Sequence, residues 1–138
     1  MPAKKKIKDI MHKGVITCSP DVPVQEVVRV VADTDVHAII VVHPPESVVA
    51  GIISHIDLLH LYGKDLLECT AADIMTTDVV DIGIDRTVTE AVQLMLEKGI
   101  HRLLVTEDTP DGKKPIGVVS TTDIIRDMRG TRWSWYMA

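Results

Sequence analysis

The stretches Gly51-Ile52-Ile53-Ser54-His55-Ile56-Asp57 and Gly117-Val118-Val119-Ser120-Thr121-Thr122-Asp123 decide the fold of this chain. Each closes an apolar run with Gly-x-x-Ser-x-x-Asp, and they lie 66 residues apart in a chain of 138. One such segment is a weak signal, whereas two at the same place in a repeated unit are a strong one. Working back from them, Asp9-Ile10-Met11 recurs as Asp73-Ile74-Met75 at a spacing of 64, as do Asp21/Asp85, Val24/Val88, Glu26/Glu90, His37/His101 and Val41/Val105. The two extra residues fall between Glu107 and Ile116, where Asp111-Gly112 is a turn signal and a change of length is tolerated.

Both copies read alike. Val15-Ile16 and Val79-Val80 are short strand candidates. Val24, Val27, Val28 and Val31, then Val88, Ala91, Val92 and Met95, recur at i, i+3, i+4 and i+7, one face of a helix. Glu26 and Glu90 stand near the starts of these helices, where negative charge suits the dipole. Ile39–Val42 and Leu103–Val105 read as buried strands, Gly51–Ile53 and Gly117–Val119 as second strands. Last helices are expected from about His55 to Tyr62 and Thr121 to Met128, with Lys64–Ala72 joining the copies. The expected fold is thus α/β (α+β): strand-helix-strand-strand-helix, twice. A unit of this size is small for a core of its own, so the two should pack together and leave a ligand cleft between them.

Composition narrows the function. The chain is 46% hydrophobic and 25% charged with a net charge of −5, ordinary for a globular protein and unlike the basic face of a nucleic-acid binder. No apolar run reaches the roughly 18 residues that span a bilayer, and no signal-type segment follows the basic start, so a cytoplasmic location is expected. Cys18 and Cys69 stand apart with no zinc-type spacing, and no histidine falls in a metal motif. No P-loop, nucleophile elbow or nucleophile–base pair is present, which argues for no enzyme and no required cofactor.

The doubled Asp-Ile-Met and Gly-x-x-Ser-x-x-Asp segments, with the repeated strand–helix order, resemble the CBS domain pair, or Bateman module, over residues 7–130. The resemblance places one CBS domain at 7–65, a second at 71–130 related by pseudo-two-fold symmetry, and an aromatic tail at 131–138 with Trp133, Trp135 and Tyr136. It implies a stand-alone regulatory module that binds an adenine nucleotide of AMP, ADP or ATP type between the domains. Open alternatives are S-adenosylmethionine or another adenosyl compound, and a structural interaction module without ligand. In the family the Asp binds the ribose hydroxyls and the Ser lies near ribose and phosphate. Charge-assisted bonds to a diol and free N–H groups at a helix start make that chemistry sensible. Ser-x-x-Asp before a helix is equally a capping box, and capping alone would explain both pairs.

His101-Arg102-Leu103-Leu104-Val105 resembles segments of the γ subunits of AMP-activated protein kinases, also built of CBS pairs, where the His and Arg face phosphates. The first copy has His37-Ala38 there and lacks the cation. Carried over from the family, one site joins Ser54 and Asp57 with Thr76, Val79, Val80, His101 and Arg102. The other joins Ser120 and Asp123 with Val15, Ile16, His37 and Ala38. The first is expected to suit a phosphorylated ligand better. The resemblance also implies a homodimer and a separate effector protein as partners.

Overall fold

The computed structural model describes residues 5–130, so the tail residues Trp133, Trp135 and Tyr136 lie outside the described residues. The first repeat runs β1 (His12–Lys13), β2 (Thr17–Cys18), α1 (Val24–Thr34), β3 (Ala38–His43), β4 (Val48–Ser54) and α2 (His55–Leu59). The second runs α3 (Ala71–Ile74), β5 (Asp81–Gly83), α4 (Val88–Lys98), β6 (Arg102–Thr109), β7 (Gly112–Ser120) and α5 (Thr121–Arg129). Each makes its own sheet: β2 runs parallel to β3 and β3 antiparallel to β4, as β5 does to β6 and β6 to β7.

The expected order of elements stands, with three corrections. Val15-Ile16 and Val79-Val80 are not strands; pairing begins two residues later, at Thr17 and Asp81. Glu107–Ile116 holds the expected turn only at its tip and otherwise forms the two arms of a long hairpin, with Asp108 opposite Lys113 and Thr109 opposite Gly112. The extra residues therefore lengthen β6 and β7. Finally, α2 ends at Leu59, well short of Tyr62.

The apolar runs follow from burial on both faces of each sheet. On β3, Ile39 and Val41 join Val27 and Ile53 in the first core, while Ile40 and Val42 point the other way. On β6, Leu103 and Val105 join Ala91, Met95 and Val119 in the second core, while Leu104 points the other way. Ile40, Val42 and Leu104 meet in a third cluster between the sheets, edged by Val15, Val49, Ile52 and Val79. The period-2 alternation of a strand thus serves a repeat's own core and the seam between repeats.

The first segment of each repeat belongs physically to the other one. Ile7, fully buried, sits in the second core, and Ala71, fully buried, sits in the first. Ile7 N donates to Arg86 O at 3.0 Å, and Ala71 N donates to Val22 O at 2.8 Å. Further along, β1 pairs with β7, His12 opposite Val118, while Thr76 exchanges backbone hydrogen bonds of 2.8 and 2.9 Å with Ile52. The motif glycines permit this crossing. A Cβ on Gly51 would lie 2.7 Å from Met75 Sδ and 2.9 Å from Thr76 O, and one on Gly117 would collide with the His12 carbonyl oxygen. The Gly of Gly-x-x-Ser-x-x-Asp is therefore required by the exchange of segments.

Candidate functional site

Both Ser-x-x-Asp segments form capping boxes. At α5, Ser120 N and Oγ donate to Asp123 Oδ2 at 2.8 and 3.0 Å, and Asp123 N donates back to Ser120 Oγ at 3.3 Å. At α2, Ser54 and Asp57 make the same three bonds at 2.8, 3.0 and 3.5 Å. The second carboxylate oxygen reaches the crossing segment of the other repeat. His12 Nε2 lies 2.8 Å from Asp123 Oδ1, and Thr76 Oγ1 donates to Asp57 Oδ1 at 3.3 Å. Asp123 is buried and Asp57 half-buried, so the second repeat holds its carboxylate more firmly.

Beside Ser120 a cavity of about 880 Å³ opens between the repeats. Val15 and Ile16 line it with His12 and Gly14, Val36, His37 and Ala38 come from the approach to β3, and Val79, Val80 and Asp78 from the approach to β5. Ser120, Thr122 and Arg126 line it from α5, and Arg102 from β6. Its size and its apolar walls with a few polar groups suit a small organic ligand. Of the sequence-predicted site residues, Val15, Ile16, His37, Ala38, Val79, Val80, Arg102 and Ser120 are brought together here. Asp123 stands behind Ser120 in the cap, while Ser54, Asp57, Thr76 and His101 do not line the cavity. His37 also stacks on His55, with ring centroids 5.5 Å apart.

The hairpin sets Arg102 opposite Ser120, and the equivalent register in the first repeat sets Ala38 opposite Ser54. Arg102 therefore stands beside Ser120 at the start of α5. The reason is topological: the start of one hairpin arm always faces the end of the other. Sequence reasoning also missed His12, Asp78, Thr122 and Arg126. Thr122 and Arg126 had a readable signal, since residues four apart on a helix share a face. His12 had none, because its place depends on the exchange of segments.

With this geometry the comparisons agree. The model of the CBS domain matches residues 7–64 and 71–130, and the chain belongs to that family. The uncharacterised protein MK0525 of Methanopyrus kandleri is 32% identical over 123 residues, 87% of this chain and 61% of its own. An inosine-5'-monophosphate dehydrogenase of Methanocaldococcus jannaschii is 32% identical over 124 residues, 90% of this chain but 24% of the enzyme. The chain thus spans under two-thirds of these relatives. Among solved structures, the CBS domain pair of MJ0100 in complex with 5'-methylthioadenosine and S-adenosyl-L-methionine superposes with a TM-score of 0.77 at 23% identity, covering 93% of this chain and 98% of that one. CBSX2 in complex with AMP gives 0.74 at 22%, covering 91% and 96%. These likenesses establish the fold as a CBS pair. No helix among the described residues is long and apolar enough to cross a membrane, and no group of three or more His, Cys, Asp or Glu there could hold a metal ion.

Proposed function

We propose that this chain is a non-catalytic regulatory module that takes an adenine nucleotide into the cavity beside Ser120. The observation that carries the reading is the cavity itself, whose apolar wall from Val15, Ile16, Val79 and Val80 meets Arg102 and the start of α5. The adenine lies against the apolar residues, Ser120, held in place by Asp123, faces the ribose, and Arg102 meets phosphate. Relatives of the same fold bound to AMP and to S-adenosyl-L-methionine support an adenosyl ligand. The module works in the cytoplasm as a homodimer and passes its signal to a separate effector. Ligand shifts that assembly only through unequal affinity for its states.

A thermal-shift panel of AMP, ADP, ATP, S-adenosylmethionine and NAD tests this, each variant being compared with its own ligand-free melting temperature. Ligand at about 100 times its Kd adds roughly 2.7 kcal/mol. The expected result is a rise with an adenine nucleotide that Asp123→Ala abolishes and Asp57→Ala leaves. No rise with any compound, on protein free of bound nucleotide, would overturn the reading.

A further inference from the structure

Two guanidinium groups, Arg102 and Arg126, line the cavity, and neither makes a side-chain hydrogen bond or ion pair among the described residues. Every other arginine described has a partner: Arg29 has Glu26, Arg86 has Glu90, and Arg129 is also engaged. Two unpaired cations facing one cavity, against the single lining carboxylate of Asp78, make a site for an anion.

Their placement says how long the anion is. Arg102 stands opposite Ser120 at the start of α5, whereas Arg126 projects from the face that carries Thr122, one turn further along. Four residues of helix advance about 6 Å. A single phosphate at Arg102 leaves Arg126 without a partner, while a chain of phosphates running along α5 meets both. The helix start supplies little in their place, since Thr121 N already donates to His101 O at 2.9 Å and Asp123 N to Ser120 Oγ.

Resting on the function proposed above, we infer that the cavity selects an adenine nucleotide with two or more phosphates, with Arg126 as the residue that counts them. The first repeat carries Ala38 and His60 at the places of Arg102 and Arg126, so each chain holds one such ligand. S-adenosylmethionine, with its cationic sulfonium, is disfavoured.

Calorimetric titration in magnesium-free buffer with adenosine, AMP, ADP, ATP, S-adenosylmethionine and inorganic tripolyphosphate tests this on wild type, Arg102→Ala, Arg126→Ala and Arg126→Lys. Losing one charge-assisted contact weakens binding about tenfold or more. Arg126→Ala should weaken ADP, ATP and tripolyphosphate by that factor and leave AMP and adenosine unchanged. Arg126→Lys should restore part of the loss. Arg102→Ala should weaken all three nucleotides, and ATP should bind one per chain. If ATP binds no tighter than AMP, if Arg126→Ala weakens AMP equally, or if S-adenosylmethionine binds more tightly than ATP, the selection is wrong while the adenosyl reading stands. If tripolyphosphate binds through Arg126 but no adenosyl compound binds, the adenosyl reading is wrong and the polyphosphate site stands. If nothing binds, both are wrong.

Discussion

His12 Nε2 lies 2.8 Å from Asp123 Oδ1, which ties the crossing segment of the first repeat to the last helix of the second. The related contact, Thr76 Oγ1 to Asp57 Oδ1, is longer at 3.3 Å and joins a neutral hydroxyl to a carboxylate. Asp123 therefore does two structural tasks at once, closing the α5 cap and holding the crossing. A lost cap costs about 1 kcal/mol, and a hydrogen bond to a charged group about 1.5–3 kcal/mol. Asp123→Ala should lower stability by about 3 kcal/mol and Asp57→Ala by about 1 kcal/mol, given its greater exposure. Urea denaturation of ligand-free protein measures both. Equal losses would show that the His12 contact adds nothing.

The glycines make a sharper contrast. At Gly117 an added methyl meets the backbone carbonyl of His12, which cannot turn aside without breaking the pairing of β1 with β7. At Gly51 it would meet the flexible Met75 side chain at 2.7 and 2.9 Å and the Thr76 carbonyl oxygen at 2.9 Å, a milder clash than the one at Gly117. Overpacking costs about 1–3 kcal/mol where side chains give way. Gly51→Ala should fall in that range, and Gly117→Ala should exceed it and unfold first in a urea series.

The repeat, the longer helices α1, α4 and α5 and the buried strands are legible because each rests on local periodicity. Val24, Val27 and Val31 name the inner face of α1 without reference to anything distant. The exchange of first segments was not legible. Ile7 looks like one more apolar residue near a basic start, and only the fold shows that it fills the second core, among Ile82, Ala91 and Leu103. The same limit holds for the cation. Arg102 is legible as a phosphate-facing candidate, but its neighbour Ser120 is set by the register of the long β6–β7 hairpin, which no local pattern fixes. Arg126 lay within reach of helical spacing once the start of α5 was known.

The start of α4 predicts a response to acid. Thr87 Oγ1 donates to Glu90 Oε1 at 3.1 Å, and Arg86 Nη1 to Glu90 Oε2 at 3.1 Å. Desolvation pushes the Glu90 carboxyl up, but the Thr87 hydroxyl and N–H and the Arg86 guanidinium outweigh it and hold it below its ordinary value of 4.5. A carboxyl lowered on folding stabilises the fold fully above its unfolded value and ceases to do so as pH falls through its folded value. Glu90→Gln should therefore lower the melting temperature at pH 7, and the gap from wild type should close as pH falls below the ordinary value of 4.5 and on through the folded one. A gap that is constant with pH would show that the charge of Glu90 is immaterial and only its shape matters.

The proposed homodimer has a natural face in the helices that end each repeat. Leu59 of α2 and Ile125 of α5 occupy equivalent places, as do Tyr62, in the turn beyond α2, and Met128 of α5, and all four are exposed. Scattered apolar residues on a surface need no partner, but the same two positions left apolar in both repeats give a self-complementary pattern about the pseudo-two-fold axis. A two-fold pairing of chains would bring the patches of one copy onto those of the other and remove them from water. A charge on this face should then prevent assembly without touching either core, since neither residue belongs to a buried cluster. Sedimentation of Leu59→Glu/Ile125→Glu protein should show a monomer where the unaltered chain is a dimer, with the melting temperature lowered only by the loss of the partner. A double variant that still sediments as a dimer would place the interface elsewhere; an unaltered chain that is monomeric at all concentrations would remove the homodimer from the proposed function.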